Sequence, residues 1–102
     1  MPFTNVPWDS PESRLSASDF CKVCIVDLNA PGETKVKGKC YLPLRSSPGA
    51  PYNKNAIRNA MARLNQVQIP PAERRKAARK LVGLAGEAGI EVGASVRRVA
   101  GA

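Results

Sequence analysis

A chain of 102 residues, 43% of them hydrophobic, can fill one modest core but not two, and it carries too much apolar material for wholesale disorder. Its formal net charge of +8 points to anionic partners, and it has no histidine, which removes the commonest general base. No window approaches the roughly eighteen apolar residues of a membrane span, and Met1 to Arg14 carries Asp9 and Glu12 where a signal peptide would be apolar, so a soluble protein with no membrane contact and no secretion is expected.

Residues 1–19 hold Pro2, Pro7 and Pro11 among several serines, and proline at that density prevents regular helices and ladders. An irregular arm is expected there, with Phe3, Val6 and Trp8 available for burial. Trp8, the sole tryptophan, is read as a plug at the edge of the core. From Phe20 the run Cys21-Lys22-Val23-Cys24-Ile25-Val26-Asp27-Leu28 is rich in β-branched residues and predicts a strand. Asn29-Ala30-Pro31-Gly32-Glu33 is a turn by composition. The next run, Thr34 to Leu44, alternates with a period of two. Val36, Gly38, Cys40, Leu42 and Leu44 fall on one side, and Lys35, Lys37, Lys39 and Tyr41 on the other. It predicts a second, half-buried strand that ends near Pro43 and pairs with the first as a hairpin. Arg45 to Tyr52 reads as a loop.

Asn53 is placed to cap a helix through Asn65, in which Ile57, Ala60, Met61 and Leu64 share one face. After the link Gln66 to Pro71, a second helix is predicted with Pro71 at its first position, Glu73 at the positive dipole end and Gly89 as its stop. Its apolar stripe is Ala77, Ala78, Leu81, Leu84, Ala85 and Ala88, and Ile90 should fold back on Leu84 or Ala85. Two helices with so short a link should pair antiparallel and cover the apolar side of the hairpin. The expected architecture is therefore α+β: an arm over 1–19, a single domain over 20–92, and a mobile tail over 93–102.

Charge is unevenly distributed. Residues 1–33 carry Asp9, Glu12, Asp19, Asp27 and Glu33 against Arg14 and Lys22, a balance of −3, whereas the remainder carries +11. Arg74, Arg75, Lys76, Arg79 and Lys80 crowd the first half of the second helix, and Arg75 with Arg79 and Lys76 with Lys80 repel each other at i, i+4 unless an anion compensates them. Phosphates would do so by counterion release. These five residues, with Lys35, Lys37 and Lys39 as a second strip, are the candidate contacts for nucleic acid or an acidic protein surface. Simple solvation of helix faces is the bland alternative. A major-groove reader is disfavoured because the interhelical link is long and lacks glycine, and the few aromatic residues give a stacking platform little support beyond Tyr41.

Three cysteines without histidine fall short of a tetrahedral zinc set, and in a strand Cys21 and Cys24 would point to opposite faces. No metal, cofactor or catalytic group is expected. Small buried thiols are the expected state of Cys21, Cys24 and Cys40, with a disulfide from Cys40 to Cys21 or Cys24 left open, depending on strand register, and a metal- or thiol-dependent role as the alternative.

The run Leu42-Pro43-Leu44, Asn55 to Asn65, Ile69-Pro70, Lys76 to Leu81 and Ala88 to Val92, led by Pro7-Trp8 and Ser16 to Phe20, resembles a small module found in tailed-phage and prophage proteins, in or beside head-maturation proteases and capsid proteins. That resemblance implies no catalytic residues. It implies a viral structural or accessory role, a cytoplasmic or virion-associated location and capsid components among the partners, with or without nucleic-acid contact.

Overall fold

The computed structural model describes residues 3–101, as an α+β fold. In chain order it runs β1 (Phe3–Thr4), α1 (Ala17–Val23), β2 (Cys24–Asp27), a 3-10 turn at Lys37–Lys39, β3 (Cys40–Pro43), β4 (Tyr52–Asn53), α2 (Lys54–Arg63), α3 (Pro71–Ala88) and α4 (Ala94–Gly101). β2 and β3 form the antiparallel hairpin, with Cys24 opposite Pro43, Val26 opposite Tyr41 and Asp27 opposite Cys40. β1 pairs in parallel with β4 as a separate two-stranded ribbon.

The helical hairpin forms as its sequence predicts. Asn53 caps α2, its Oδ1 accepting from the backbone N–H of Asn55 at 2.8 Å and of Ala56 at 3.1 Å. Its amide nitrogen donates to the carbonyl of Val6 at 3.1 Å, so this buried polar side chain is satisfied at both ends and ties the arm to the helix start. Pro71 opens α3. Gly89 ends it with φ of +73°, a left-handed conformation that costs glycine little, and the Ile90 N–H donates to Ala85 O at 2.8 Å in the bond that closes such a terminus. Ile90 is buried with Leu84 and Ala85, as the sequence predicts. Val26 and Leu42 from the strands, Leu44 just beyond β3, Ile57 and Leu64 from α2 and its end, Leu81 from α3 and Val96 from α4 share one core.

Four expectations need correction. The strand expected over Cys21–Leu28 is half helix: α1 extends to Val23 and only Cys24–Asp27 is extended. Ser16 drives this, its Oγ accepting from the Asp19 N–H at 3.2 Å, while Phe20, Cys21 and Val23 are buried. The strand expected over Thr34–Leu44 is extended only at Cys40–Pro43. Upstream, the Asn29 side chain takes the Val36 N–H at 2.9 Å, diverting the backbone from a ladder, and Val36 is half exposed rather than facing the core. The 93–102 tail, expected to be mobile, is α4 through Gly101, packed on α3 with Val96 buried and Val99 and Ala100 against the core. The arm is irregular only up to Ser16, and its first described residues are held by β4.

Leu42 has φ of +64°, in a region that side-chain-bearing residues seldom occupy. It is nonetheless buried in the core, and the following Leu44 N–H reaches Val23 O at 3.0 Å, so packing on both sides of the kink holds it.

Candidate anion-binding surface and cleft

The basic residues of α3 divide into two groups. Arg74 lies along the helix pair: its Nε donates to Leu64 O at 3.2 Å and its Nη2 to Val67 O at 2.6 Å. It thereby satisfies carbonyls left over where α2 ends, and joins the end of α2 to the first turn of α3. Arg79 does the same for α4, its Nε donating to Ala100 O at 2.8 Å. Lys76 is 3.7 Å from Glu73 in an exposed pair worth little. Arg75 and Lys80 are exposed, and neither has a carboxylate within 4.0 Å among the described residues. Arg97 and Arg98 of α4, which sequence reasoning assigned to a mobile tail, are exposed in the same way. The contact between Arg79 and Ala100 brings α4 alongside α3, so these cations are carried on two packed helices.

The second strip does not form an outward row on a strand. Lys35 is paired with Asp27, whose carboxylate also accepts from the Asn29 backbone N–H at 2.9 Å and the Asn29 side-chain amide at 2.8 Å. Burial pushes the Asp27 carboxyl up, but the hydrogen bonds from Lys35 and Asn29 outweigh it and hold the group below its usual range. Lys37 donates from Nζ to Glu12 O at 2.6 Å, strapping the arm to the 3-10 turn. Lys39 is exposed.

Cys21 and Cys40 form a disulfide, which corrects the expectation of buried free thiols and selects one of the pairings left open. The bond joins the last turn of α1 to the first residue of β3, within a small cluster of Phe20 and Val23. No strand register links the two residues, because Cys21 is helical; only the helix-to-strand change at Cys24 brings its sulfur to Cys40. Oxygen of Asp27 lies within 4.8 Å of both sulfurs. The three do not fit a metal ion as they stand, because the sulfurs are bonded to each other and the carboxylate is committed to Lys35 and Asn29. Cys24 keeps its thiol, with a pKa pushed up to about 12 by burial first and then by Glu12 and Asp27, so it remains protonated and a poor nucleophile.

A cleft of about 740 Å³ lies between the arm, the 3-10 turn and β3, and α2. Trp8 and Glu12 come from the arm, Lys37 from the turn, Tyr41 from β3, and Asn59 and Arg63 from successive turns of one stripe of α2. Trp8 also lines a second cleft of about 310 Å³, with Thr4, Val6 and Asn53. It packs against neither apolar cluster of the core, unlike the plug the sequence suggests. Among the described residues no helix is long and apolar enough to cross a membrane.

Comparison with protein-family models, with curated proteins and with solved structures finds no match to this chain.

Proposed function

We propose that this is a small non-catalytic module that binds an anionic partner, nucleic acid foremost, through the outward surface of α3 and α4. The observation behind this reading is the set Arg75, Lys80, Arg97 and Arg98: four exposed cations on two packed helices with no carboxylate within 4.0 Å among the described residues. Arg79 adds a fifth, fixed in position by Ala100 O yet still carrying its charge. Such a surface concentrates phosphates and gains affinity by displacing their counterions.

The test uses Arg75→Glu with Lys80→Glu, two residues without internal partners, so that the loss of a fold-holding hydrogen bond does not confuse the result. Wild-type protein should bind labelled DNA with steep salt dependence. The double variant should bind at least about tenfold more weakly, with the slope of log affinity against log salt reduced by about two. Unchanged binding by the variant, or binding indifferent to salt, would reject the reading.

A second reading is assembly in a viral head, with capsid protein as partner and no nucleic acid. It is favoured by the resemblance to a phage head-region module, and by the Cys21–Cys40 disulfide, which suits the oxidising surroundings of a virion better than a reduced cytosol. Salt-insensitive capture of a capsid protein by both wild type and variant would select it.

A further inference from the structure

The aromatic residues sort by role. Phe3 and Tyr52 pair with their ring centroids 6.4 Å apart, and Arg45 lies over the Tyr52 ring at 5.3 Å. Phe20 is buried beside the disulfide. Trp8 belongs to neither apolar cluster and Tyr41 packs only partly against the main core; both are half-buried and, though far apart in sequence, they line the same cleft. The cleft also receives Arg63 and Asn59, whose side chains have no hydrogen-bond partner among the described residues. Lys37 is there too, with ammonium protons to spare beyond the one given to Glu12 O.

We propose that this cleft takes one nucleotide of a single-stranded nucleic acid, its base against Trp8 and Tyr41 and its phosphate on Arg63 and Lys37. The inference rests on the anionic-partner reading above and names the form of nucleic acid. Every base has a flat π-face that suits an indole wall, and the stacking is tolerant of sequence. Asn59 and the Glu12 carboxylate offer a donor and acceptors for the exocyclic groups of a base. An acidic peptide would match Arg63 and Lys37 but would make no use of two aromatic residues lining the same cleft. A duplex keeps its bases stacked and cannot present one. The Arg74 bonds to Leu64 O and Val67 O place the end of α2, and with it Arg63, beside the first turn of α3. A strand with one base in the cleft can therefore continue its phosphates towards Arg75.

Trp8 is the sole tryptophan, so its emission reports the cleft directly. The folded, oxidised protein is titrated with a short oligothymidylate and with an abasic oligomer of equal length, following Trp8 fluorescence and the anisotropy of a label on the oligomer. Oligothymidylate should quench Trp8, and the abasic strand should bind without quenching. Trp8→Ala should weaken oligothymidylate binding about tenfold and leave the abasic strand unaffected, with Trp8→Phe recovering most of the loss. Arg63→Glu should weaken both. Circular dichroism confirms that each variant retains its helices. Oligothymidylate bound with Trp8 emission unchanged would overturn the cleft proposal and leave the α3–α4 surface standing. No binding of either strand would overturn both. Quenching by an acidic tyrosine-containing peptide, but not by oligothymidylate, would give the cleft to a peptide and end the nucleotide assignment.

Discussion

The segment from α2 through α4 and the segment from α1 through β3 are held together by different forces. In the first, Ile57, Ala60 and Leu64 of α2 and its end meet Ala78, Leu81 and Ala85 of α3, small and large side chains alternating along two helical stripes, all of them buried. In the second, little is periodic. A seven-residue helix passes directly into a four-residue strand, and a disulfide, the Asn29 side chain and the Asp27–Lys35 pair fix the segment that leads from β2 to β3. Apolar burial maintains the one; in the other, a covalent link and a few directional polar contacts add to the burial of Phe20, Val23, Val26 and Leu42. The unpaired cations Arg75, Lys80, Arg97 and Arg98 lie on the helical half, and the cleft lined by Trp8, Tyr41 and Arg63 draws on both halves and the arm.

The comparison breaks most visibly at Leu81. It is fully buried at the centre of the helical half, so Leu81→Ala should lower the unfolding free energy by about 2–5 kcal/mol, read by chemical denaturation with the disulfide intact. A loss below about 1 kcal/mol would mean that the helical stripe is not the main source of stability. The next largest effect belongs to the other half. The Cys21–Cys40 bond closes a loop of 19 residues' separation, and replacing both cysteines by serine should lower stability by about 3 kcal/mol. In native-state hydrogen exchange the loss should appear first in α1 and β2, while the amides of α2 and α3 stay protected. Uniform loss of protection would show that the halves unfold as one unit.

Those two halves were also unequally legible from sequence. The stripe Ile57, Ala60, Leu64 and the pair Pro71 and Gly89 carry their structural meaning within a few residues, and both helices and their stop follow from them. Val96, Val99 and Ala100 carry the same periodic signal for α4, but the glycines and alanines around them suggest a tail, and the helix was obscured by its ends. For α1 the signal was Ser16 followed three residues later by Asp19, which competes with the β-branched run that begins at Val23. Propensity favoured a strand, and the cap together with burial of Phe20 decided for a helix. The cleft could not be read at all, since the contribution of Trp8 depends on the Asn53 and Asn55 side chains holding the arm by Val6 O, contacts spanning nearly half the chain. Arg74 and Arg79 show a further limit: a run of basic residues reveals charge, but not which side chains close helix ends and which face solvent.

The smallest expected effect separates the halves by pH. Asp27 belongs to the polar set that shapes the turn between β2 and β3, and its folded-state pKa lies below the ordinary 3.8 because Lys35 and Asn29 outweigh the effect of burial. A carboxyl with a depressed folded pKa binds its proton less readily when folded than when unfolded. Its contribution is therefore fully present above about pH 4 and is lost as pH falls below 3.8 through the folded value. The group is partly solvated, so the contribution should be below about 1 kcal/mol. Asp27→Asn should be slightly less stable than wild type at pH 7, and the two should converge as the pH drops below 4, when wild-type Asp27 also becomes neutral. Because the contact is confined to the turn, the loss at acid pH should appear as faster amide exchange at Val36, whose N–H is held by Asn29, before any change in α2 or α3. A stability difference between variant and wild type that stays constant from pH 7 to pH 2 would show that the ionised carboxylate is not what fixes this turn, and would leave the disulfide as its principal restraint.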